Sequence, residues 1–175
     1  GHLTLATRRA QFKSFLKVYN AKRSVQAIAY KPEKAKVSLD NTWLLGFTEA
    51  EGCFTCSLLS NSNAFRTRFI ICQKHDENLV VLSQILLLFG TGRLEAHHVK
   101  NNYCFIISGL KNIDAIYAYF DKYLDQFAVK RKKQSYLKFK CLNRLLQMKA
   151  HLNPTMRPFL IQISHRINRV KRKQK

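Results

Sequence analysis

The sequence has few acidic residues and no long apolar run. Of its 175 residues only ten are Asp or Glu, against 31 Lys or Arg, which gives a formal net charge of +21. So large an excess of positive charge repels itself, and its usual partner is a polyanion such as nucleic acid. No apolar stretch approaches the roughly 18 residues of a membrane-spanning helix, which argues against a membrane partner. The 46% of apolar residues is enough for a core and argues against wholesale disorder.

Cysteine is scarce and unpatterned. Five cysteines at scattered positions are an odd number, which argues against the disulfide framework of a secreted protein. Cys53 and Cys56 have the C-x-x-C spacing, but in a strand their side chains would point to opposite faces, as would those of His97 and His98. We therefore expect buried, reduced thiols and no zinc site. No signal peptide is visible. The sequence begins with Gly rather than Met, so we expect the native N-terminus to be missing, for example through processing or a split gene.

Hydrophobic periodicity predicts an α+β domain between two basic ends. Residues 1–20 read as a basic amphipathic helix with Phe12, Phe15, Leu16 and Tyr19 on one stripe, and 21–40 as a Lys-rich linker. Residues 41–150 follow the order α-β-β-α-β-β-α-α, with one helix expected over 112–123. Its two hairpins would pair into one antiparallel sheet with helices on one face and the other face open.

A basic C-terminal helix and tail would occupy residues 151–175. Its start, His-Leu-Asn followed by a basic helix, faintly repeats the start of residues 1–20. Either two basic helices are similar by chance, or residues 1–20 are the tail of a preceding copy of the same domain.

Two acids close the apolar stretch WLLGFTEAEGCF at residues 43–54. The C-terminus of a helix carries partial negative charge, so Glu49 and Glu51 would each cost about 0.3–1 kcal/mol there. Gly46 and Ala50 lie four residues apart, a spacing that lets two helix backbones approach closely. Two such helices would bring both Glu51 carboxylates together, which requires cations between them. Divalent metal held by carboxylates beside bound nucleic acid is a common arrangement for phosphodiester cleavage. The alternative is two solvated residues at a helix end.

The nonapeptide LLGFTEAEG at residues 44–52 resembles the signature of the LAGLIDADG homing endonucleases. The predicted order of elements is also similar to the core of that family, and the resemblance covers about residues 40–150. It implies that the signature helix packs against a second half-domain through Leu45, Gly46, Glu49 and Ala50. It also implies that a saddle-shaped sheet lies in the major groove of DNA.

The same resemblance implies roles for single residues. Glu51 would bind the catalytic Mg²⁺ or another divalent cation, Gln73 would orient the water near it, and Lys130 would stabilise charge on the scissile phosphate. The run from Lys130 to Lys133 alternatively forms a general phosphate-binding patch. Base or phosphate contacts are expected on the open sheet face, at the hairpin tip and in this run. These nucleic-acid-binding candidates are Arg66, Arg68, Arg93, Glu95, His97, Lys100, Arg131, Lys132 and Lys133.

A single signature motif implies half of a functional unit, because the chain resembles either the C-terminal half of a double-motif member or a single-motif member of the family. A second half-domain would then come from another chain or from another copy. The primary hypothesis is a site-specific DNA endonuclease of the intron-homing type. The alternatives are an RNA-binding maturase, or a domesticated structural component of an organellar ribonucleoprotein such as the mitochondrial ribosome, which the basic ends favour. The resemblance implies an organelle, and a mitochondrion rather than a chloroplast.

Overall fold

The computed structural model describes residues 5–22, 26–30, 37–59, 62, 64–97 and 99–168. The helices are α1 (Ala6–Ala21), α2 (Trp43–Glu51), α3 (Leu79–Phe89), α4 (Leu110–Ile113), α5 (Tyr117–Lys122), α6 (Lys130–Gln147) and α7 (Arg157–Arg166). The strands are β1 (Gly52–Leu58), β2 (Phe65–Lys74), β3 (Arg93–Ala96) and β4 (Asn102–Ser108). A 3₁₀ turn separates α4 from α5, so the single helix expected over 112–123 is divided.

The four strands form one antiparallel sheet in the order β1-β2-β4-β3. Burial alternates along β2, where Thr67, Phe69 and Ile71 face the helices while Arg66 and Arg68 lie on the opposite face. The period of two in side-chain direction produces this division. The α+β class and the sheet with one open face, both predicted from the sequence, are therefore confirmed.

Aromatic rings fill the layer between the sheet and the helices. The ring of Phe54 on β1 lies 5.2–5.5 Å, between centroids, from the rings of Phe69, Phe120, Tyr136 and Phe139. All five side chains are fully buried, and burial of each contributes about 1.5–3 kcal/mol to stability. This cluster fixes β1 and β2, and with them the end of α2, against α5 and α6.

The C-terminal helix belongs to the same core. Leu160 and Ile167 are buried within it, and the Ser135 hydroxyl donates a hydrogen bond to the Ile167 carbonyl oxygen at 2.6 Å. The Asn168 side-chain amide donates to the Phe54 carbonyl oxygen on β1, also at 2.6 Å. The packed core therefore extends beyond residue 150, the boundary expected from the sequence.

Helix α1 packs less evenly than the sequence predicts. Leu16 is buried, but the Phe15 side chain is 62% exposed and does not belong to an inward stripe. Two hydrogen bonds, at 2.9 and 3.1 Å, join the Asn20 side chain to the main chain of Ile28 and turn the chain back along the helix. In the part of the chain that the structure describes, no helix has the length and apolar character needed to cross a membrane.

The cysteines correct one expectation. Cys72 on β2 and Cys104 on β4 lie directly opposite each other and form a disulfide, so these two thiols are not reduced. Cys56 faces the core as a free thiol, and burial raises its pKa to about 12. Cys53 is half-buried on the other face of β1, so the C-x-x-C pair is divided between two faces, as predicted.

Candidate active site

The start of α2 is anchored through its main chain. The Asn41 side chain accepts the N–H of Trp43 at 2.9 Å. The buried Tyr119 hydroxyl accepts the N–H of Leu45 at 2.8 Å and donates to the Asn41 carbonyl oxygen at 2.9 Å. The first N–H groups of a helix have no partner within the helix. These contacts supply partners and fix α2 to the helical layer.

The two sides of α2 differ sharply. Leu44, Leu45 and Thr48 are buried against the core of the domain, whereas Gly46 and Ala50 are exposed. A Cβ atom at Gly46 would meet no described atom within 4 Å. The outer side is thus a smooth strip of small residues, and Leu45 lies on the inner side rather than in that strip.

Gly52 places Glu51 at the junction of helix and sheet. A Cβ atom at position 52 would lie 2.6 Å from Cγ2 and 2.8 Å from the carbonyl oxygen of Thr48. Only glycine lets β1 begin directly after the helix at such a close approach. Glu51 is therefore the last residue of α2, and its side chain is exposed.

Glu49 has a different environment from Glu51. Its Oε1 accepts the N–H of Val129 at 2.6 Å, and Val129 directly precedes α6. A carboxylate at a helix N-terminus satisfies an unpaired N–H and interacts favourably with the helix dipole. Glu49 thus joins the end of one helix to the start of another.

Glu51 and Gln73 line one cleft of about 420 Å³. Gln73 is 7% exposed and lies near the end of β2, next to the strand that begins beside Glu51. The structure therefore brings these two sequence-predicted residues to the same cleft. The other lining residues come from α1 and the residue before it, from the end of β2 and the 3₁₀ turn that follows it, and from the start of β4. They are Leu5, Thr7, Arg8, Gln11, Cys72, Lys74, His75, Asn78 and Asn102.

The four cations that open α6 have separate environments. The half-buried Lys132 donates from Nζ to the Gly52 carbonyl oxygen at 2.5 Å, whereas Lys133 pairs with the Asp125 carboxylate at 3.0 Å. Lys130 and Arg131 are exposed. Lys132 is thus hydrogen-bonded to the residue that follows Glu51, a role the sequence assigned to none of the four.

Burial lowers the pKa of the Lys132 ammonium group. The negative charges of Glu49 and Glu51 act in the opposite direction and favour its charged form. A lysine that titrates below its usual range, beside two carboxylates, is a candidate functional group because active sites perturb pKa values in this way.

The open sheet face carries the predicted arginines. Arg68 lies opposite Thr55 on one side and Ser108 on the other. Its Nε is buried and has no hydrogen-bond partner among the described residues. Arg66 is exposed on the same face. Because this Nε is buried, it is not accessible to a base, but the guanidinium has four further N–H donors on its Nη groups, which are suited to an incoming acceptor such as a base edge.

The remaining candidates lie on β3 and the hairpin that follows it. Arg93 bonds through Nε to the Glu95 carboxylate and through Nη1 to the Ser108 hydroxyl at 3.0 Å. His97 accepts the N–H of Val99 at its Nδ1. Lys100 is exposed at the tip of the hairpin. Arg93 and Glu95 therefore present one paired unit rather than two separate groups.

Residues 44–143 match the family model described as LAGLIDADG endonuclease. The chain belongs to the LAGLIDADG endonuclease family. Its signature is the nonapeptide that forms α2 and its turn into β1. Helix α2 and its turn into β1 therefore lie at the start of the part of the chain that matches the LAGLIDADG family model.

Several LAGLIDADG endonucleases and related proteins are similar to the chain in sequence or in fold. A Neurospora crassa protein named probable intron-encoded endonuclease 4 is 40% identical over 91 residues, which are 49% of this chain and 16% of that protein. The structure of an archaeal intron-encoded homing endonuclease, I-Vdi141I, complexed with DNA is 26% identical, with a TM-score of 0.65 over 76% of this chain and 86% of that one. The structure of the homing endonuclease I-GzeII in complex with its DNA target has a TM-score of 0.66 at 16% identity, over 99% and 62% of the two chains. This last likeness concerns the fold alone.

The oxygen donors of this cleft fit a hard divalent cation whose coordination shell is completed by water and by oxygens of the substrate. Among the described residues no group of three His, Cys, Asp or Glu side chains converges as a metal cage. Mg²⁺ commonly takes only one or two protein carboxylates and fills its remaining positions with water and substrate phosphate oxygens. One exposed carboxylate, that of Glu51, beside the amide of Gln73 is consistent with this mode of binding.

Sequence reasoning assigned no role to two groups near the site. Lys74 follows Gln73 on β2 and faces the open side of the sheet opposite Asn102, which the period of two could have indicated. The α1 residues that line the cleft carry no such signal, because they precede a linker whose path the sequence does not define.

Proposed function

We propose that this chain is one half of a metal-dependent, site-specific DNA endonuclease. The observation that carries the proposal is the exposed Glu51, held by Gly52 at the end of the LAGLIDADG helix and sharing a cleft with Gln73. Membership of the LAGLIDADG endonuclease family supports it. The DNA in the complexes of similar homing endonucleases supports duplex DNA as the ligand.

A second half-domain would pack on the bare side of α2. The strip formed by Gly46 and Ala50 is exposed and offers no Cβ at its closest point, so another helix could approach at backbone contact. Such packing would bring a second carboxylate towards Glu51. The partner is either a second copy of this chain or another LAGLIDADG half.

Each residue of the cleft would have a defined task. Glu51 would hold a divalent cation, Mg²⁺ being the expected ion, which lowers the pKa of bound water and stabilises charge on the phosphate. Gln73 would orient the attacking water through its amide. Lys132, or Lys130 as the sequence predicts, would stabilise the negative charge that develops when water adds to phosphorus and the bond to the leaving oxygen breaks.

The open sheet face would select the DNA sequence. The Nη groups of Arg68 would donate to guanine, and the Arg93–Glu95 pair would contact a neighbouring base pair. Arg66 and His97 would extend this surface, while Lys100 and Arg131 would contact phosphates. Lys133 would add charge to the same flank.

The name of the Neurospora relative supports an origin in an intron. We therefore propose intron homing as the biological role and an organelle, a mitochondrion rather than a chloroplast, as the location. Homing would require cleavage of an allele that lacks the intron.

The direct test is selection of cleaved molecules from a library of randomised duplex DNA. The purified chain, alone and with a candidate second half, is incubated with the library in Mg²⁺ or in EDTA, and the new ends are sequenced. The proposal predicts ends that recur at one sequence in Mg²⁺ and are absent in EDTA. No recurrent end under any condition, together with tight retention of one defined RNA, would refute it and favour the maturase or structural alternative.

A further inference from the structure

The cleft that contains Glu51 has a second wall, formed by α1. Leu5, the N-cap of this helix, and Thr7, Arg8 and Gln11 within it line the same cleft as Glu51 and the end of β2. All four precede residues 44–143, the part of the chain that matches the LAGLIDADG family model. The family domain therefore does not by itself complete the cleft.

Arg8 is the cation that α1 brings to this wall. Its Nη1 donates to Oε1 of Gln11 at 3.2 Å, three residues along the same helix, and both residues line the cleft. No carboxylate of the described residues forms an ion pair with it. A guanidinium has five N–H donors, so its bond to Gln11 leaves donors for a ligand.

The chemistry of the cleft selects the ligand. The cleft contains an exposed carboxylate, that of Glu51, and the guanidinium of Arg8, which has no ion pair with a carboxylate of the described residues. A DNA phosphate bound through a divalent cation at the carboxylate would offer its other oxygens to the opposite wall. Guanidinium groups bind phosphate in a planar, bidentate geometry that an ammonium group does not match.

We propose that Arg8 binds a DNA phosphate at or next to the scissile bond, so that a helix outside the LAGLIDADG domain completes the cleavage site. This inference rests on the proposed function and extends it to a residue that no family motif marks. Gln11 is a positioning residue, because it acts by orienting Arg8.

The matched control lies on the same helix. Lys13 is exposed and lines a different groove, together with Leu16, Ile28 and Tyr30. Arg8→Gln and Lys13→Gln therefore each remove one positive charge from α1, but only Arg8→Gln removes a charge that lines the cleft. Both side chains are exposed, so neither change should lower the melting temperature, which is measured first.

The first readout is the salt dependence of binding to a short random-sequence duplex in Ca²⁺. Each phosphate contact adds about 0.9 to the slope of log K against log salt. Arg8→Gln should lower the slope by about that amount, Arg8→Lys should keep it, and Lys13→Gln should leave it unchanged. Equal slopes for Arg8→Gln and Lys13→Gln, whether lowered or unchanged, would overturn the inference.

The second readout is single-turnover cleavage of a selected site in Mg²⁺. Arg8→Gln should be slower by about tenfold, the effect expected from one charge-assisted hydrogen bond. A wild-type chain that cuts, with Arg8→Gln equal to Lys13→Gln, would refute this inference and leave the proposed function intact. A wild-type chain that never cuts, with a slope lowered by Arg8→Gln alone, would refute the endonuclease and leave the phosphate contact standing.

Discussion

Glu49 and Glu51 lie two residues apart at the end of α2, and their surroundings assign them different tasks. Glu49 accepts a hydrogen bond from the main chain ahead of α6, which offsets the cost of a carboxylate at a helix C-terminus. Glu51 has no hydrogen bond to any described residue and faces the cleft. The hydrogen bond to Val129 accounts for the position of Glu49, whereas Glu51 remains available to the cation that we propose.

Glu51→Gln should therefore abolish cleavage while duplex binding in Ca²⁺ stays within a fewfold of wild type. Glu49→Gln is the matched control, because an amide oxygen can still accept the N–H of Val129. Single-turnover rates and binding titrations on one selected site separate the two variants. Equal loss of activity in both variants would contradict the proposal that Glu51, and not Glu49, holds the catalytic cation.

Lys132 provides a prediction in pH. Its folded-state pKa is lowered by burial, so it loses its charge at lower pH than an ordinary lysine. If its positive charge stabilises the reacting phosphate, cleavage should decline on the alkaline side as pH rises through that lowered pKa. Arginine stays charged throughout this range, so Lys132→Arg should flatten the decline.

Lys130→Met is the control for this profile, since Lys130 is exposed and carries the role that the sequence assigned. An alkaline decline that persists in Lys132→Arg and vanishes in Lys130→Met would return that role to Lys130.

Tyr119 holds the signature helix through two hydrogen bonds, to Leu45 and Asn41. Tyr119→Phe leaves the N–H of Leu45 buried without a partner, and we expect it to lower the free energy of unfolding by about 1–3 kcal/mol. Urea denaturation measures the loss. Tyr123→Phe removes a hydroxyl that has no hydrogen bond among the described residues, and a loss as large there would contradict this account of Tyr119.

Helix α2 packs its inner side against the core of the domain, through Leu44, Leu45 and Thr48, and leaves its outer side exposed. The outer strip contains Gly46, where added atoms meet nothing within the domain. Gly46→Leu should therefore leave the fold intact, or raise the melting temperature slightly, because glycine within a helix costs about 1 kcal/mol relative to good helix formers. It should nevertheless block the approach of a second half.

Light scattering measures whether two halves pair, and a cleavage assay measures whether the pair cuts DNA. Gly46→Leu is expected to yield a folded chain that neither pairs nor cuts, while Ala118→Leu, an exposed position on α5, keeps both properties. Normal pairing by Gly46→Leu would show that the halves meet elsewhere.

The strands and the open face were predictable because successive side chains of a strand face opposite sides of the sheet. Along β2, Arg66 and Arg68 alternate with residues that the core buries. The role proposed for Glu51 came from the resemblance of the nonapeptide to the family signature, because its place at a helix end alone left a solvated residue as the alternative. The break between α4 and α5 was not predictable, since Ile113 and Ile116 remain buried through the 3₁₀ turn and keep the apolar spacing of one helix. Nor was the Cys72–Cys104 bond, which depends on the register between β2 and β4. The hydrogen bond from Lys132 to Gly52 was not predictable either, because it depends on how α6 packs against the end of α2.

At the scale of the whole molecule, the net charge of +21 is divided among surfaces with different uses. Arginines face outward from the sheet, Lys132 supports the end of the signature helix, and Arg8 brings a cation from outside the family domain. A surface so arranged suits a duplex laid across the sheet with its backbone passing the cleft. The exposed side of α2 leaves room for the second half-domain that we propose.

The most direct test is purification of the native protein from its source at moderate salt without nuclease, followed by sequencing of the bound nucleic acid and the accompanying polypeptides. Our account predicts a chain that is recovered with a second LAGLIDADG half, or as a self-dimer, and that cuts a DNA site lacking the intron when Mg²⁺ is added. Stoichiometric recovery with one defined RNA, intronic or ribosomal, and no DNA cleavage would contradict it and make Glu51 an inherited remnant.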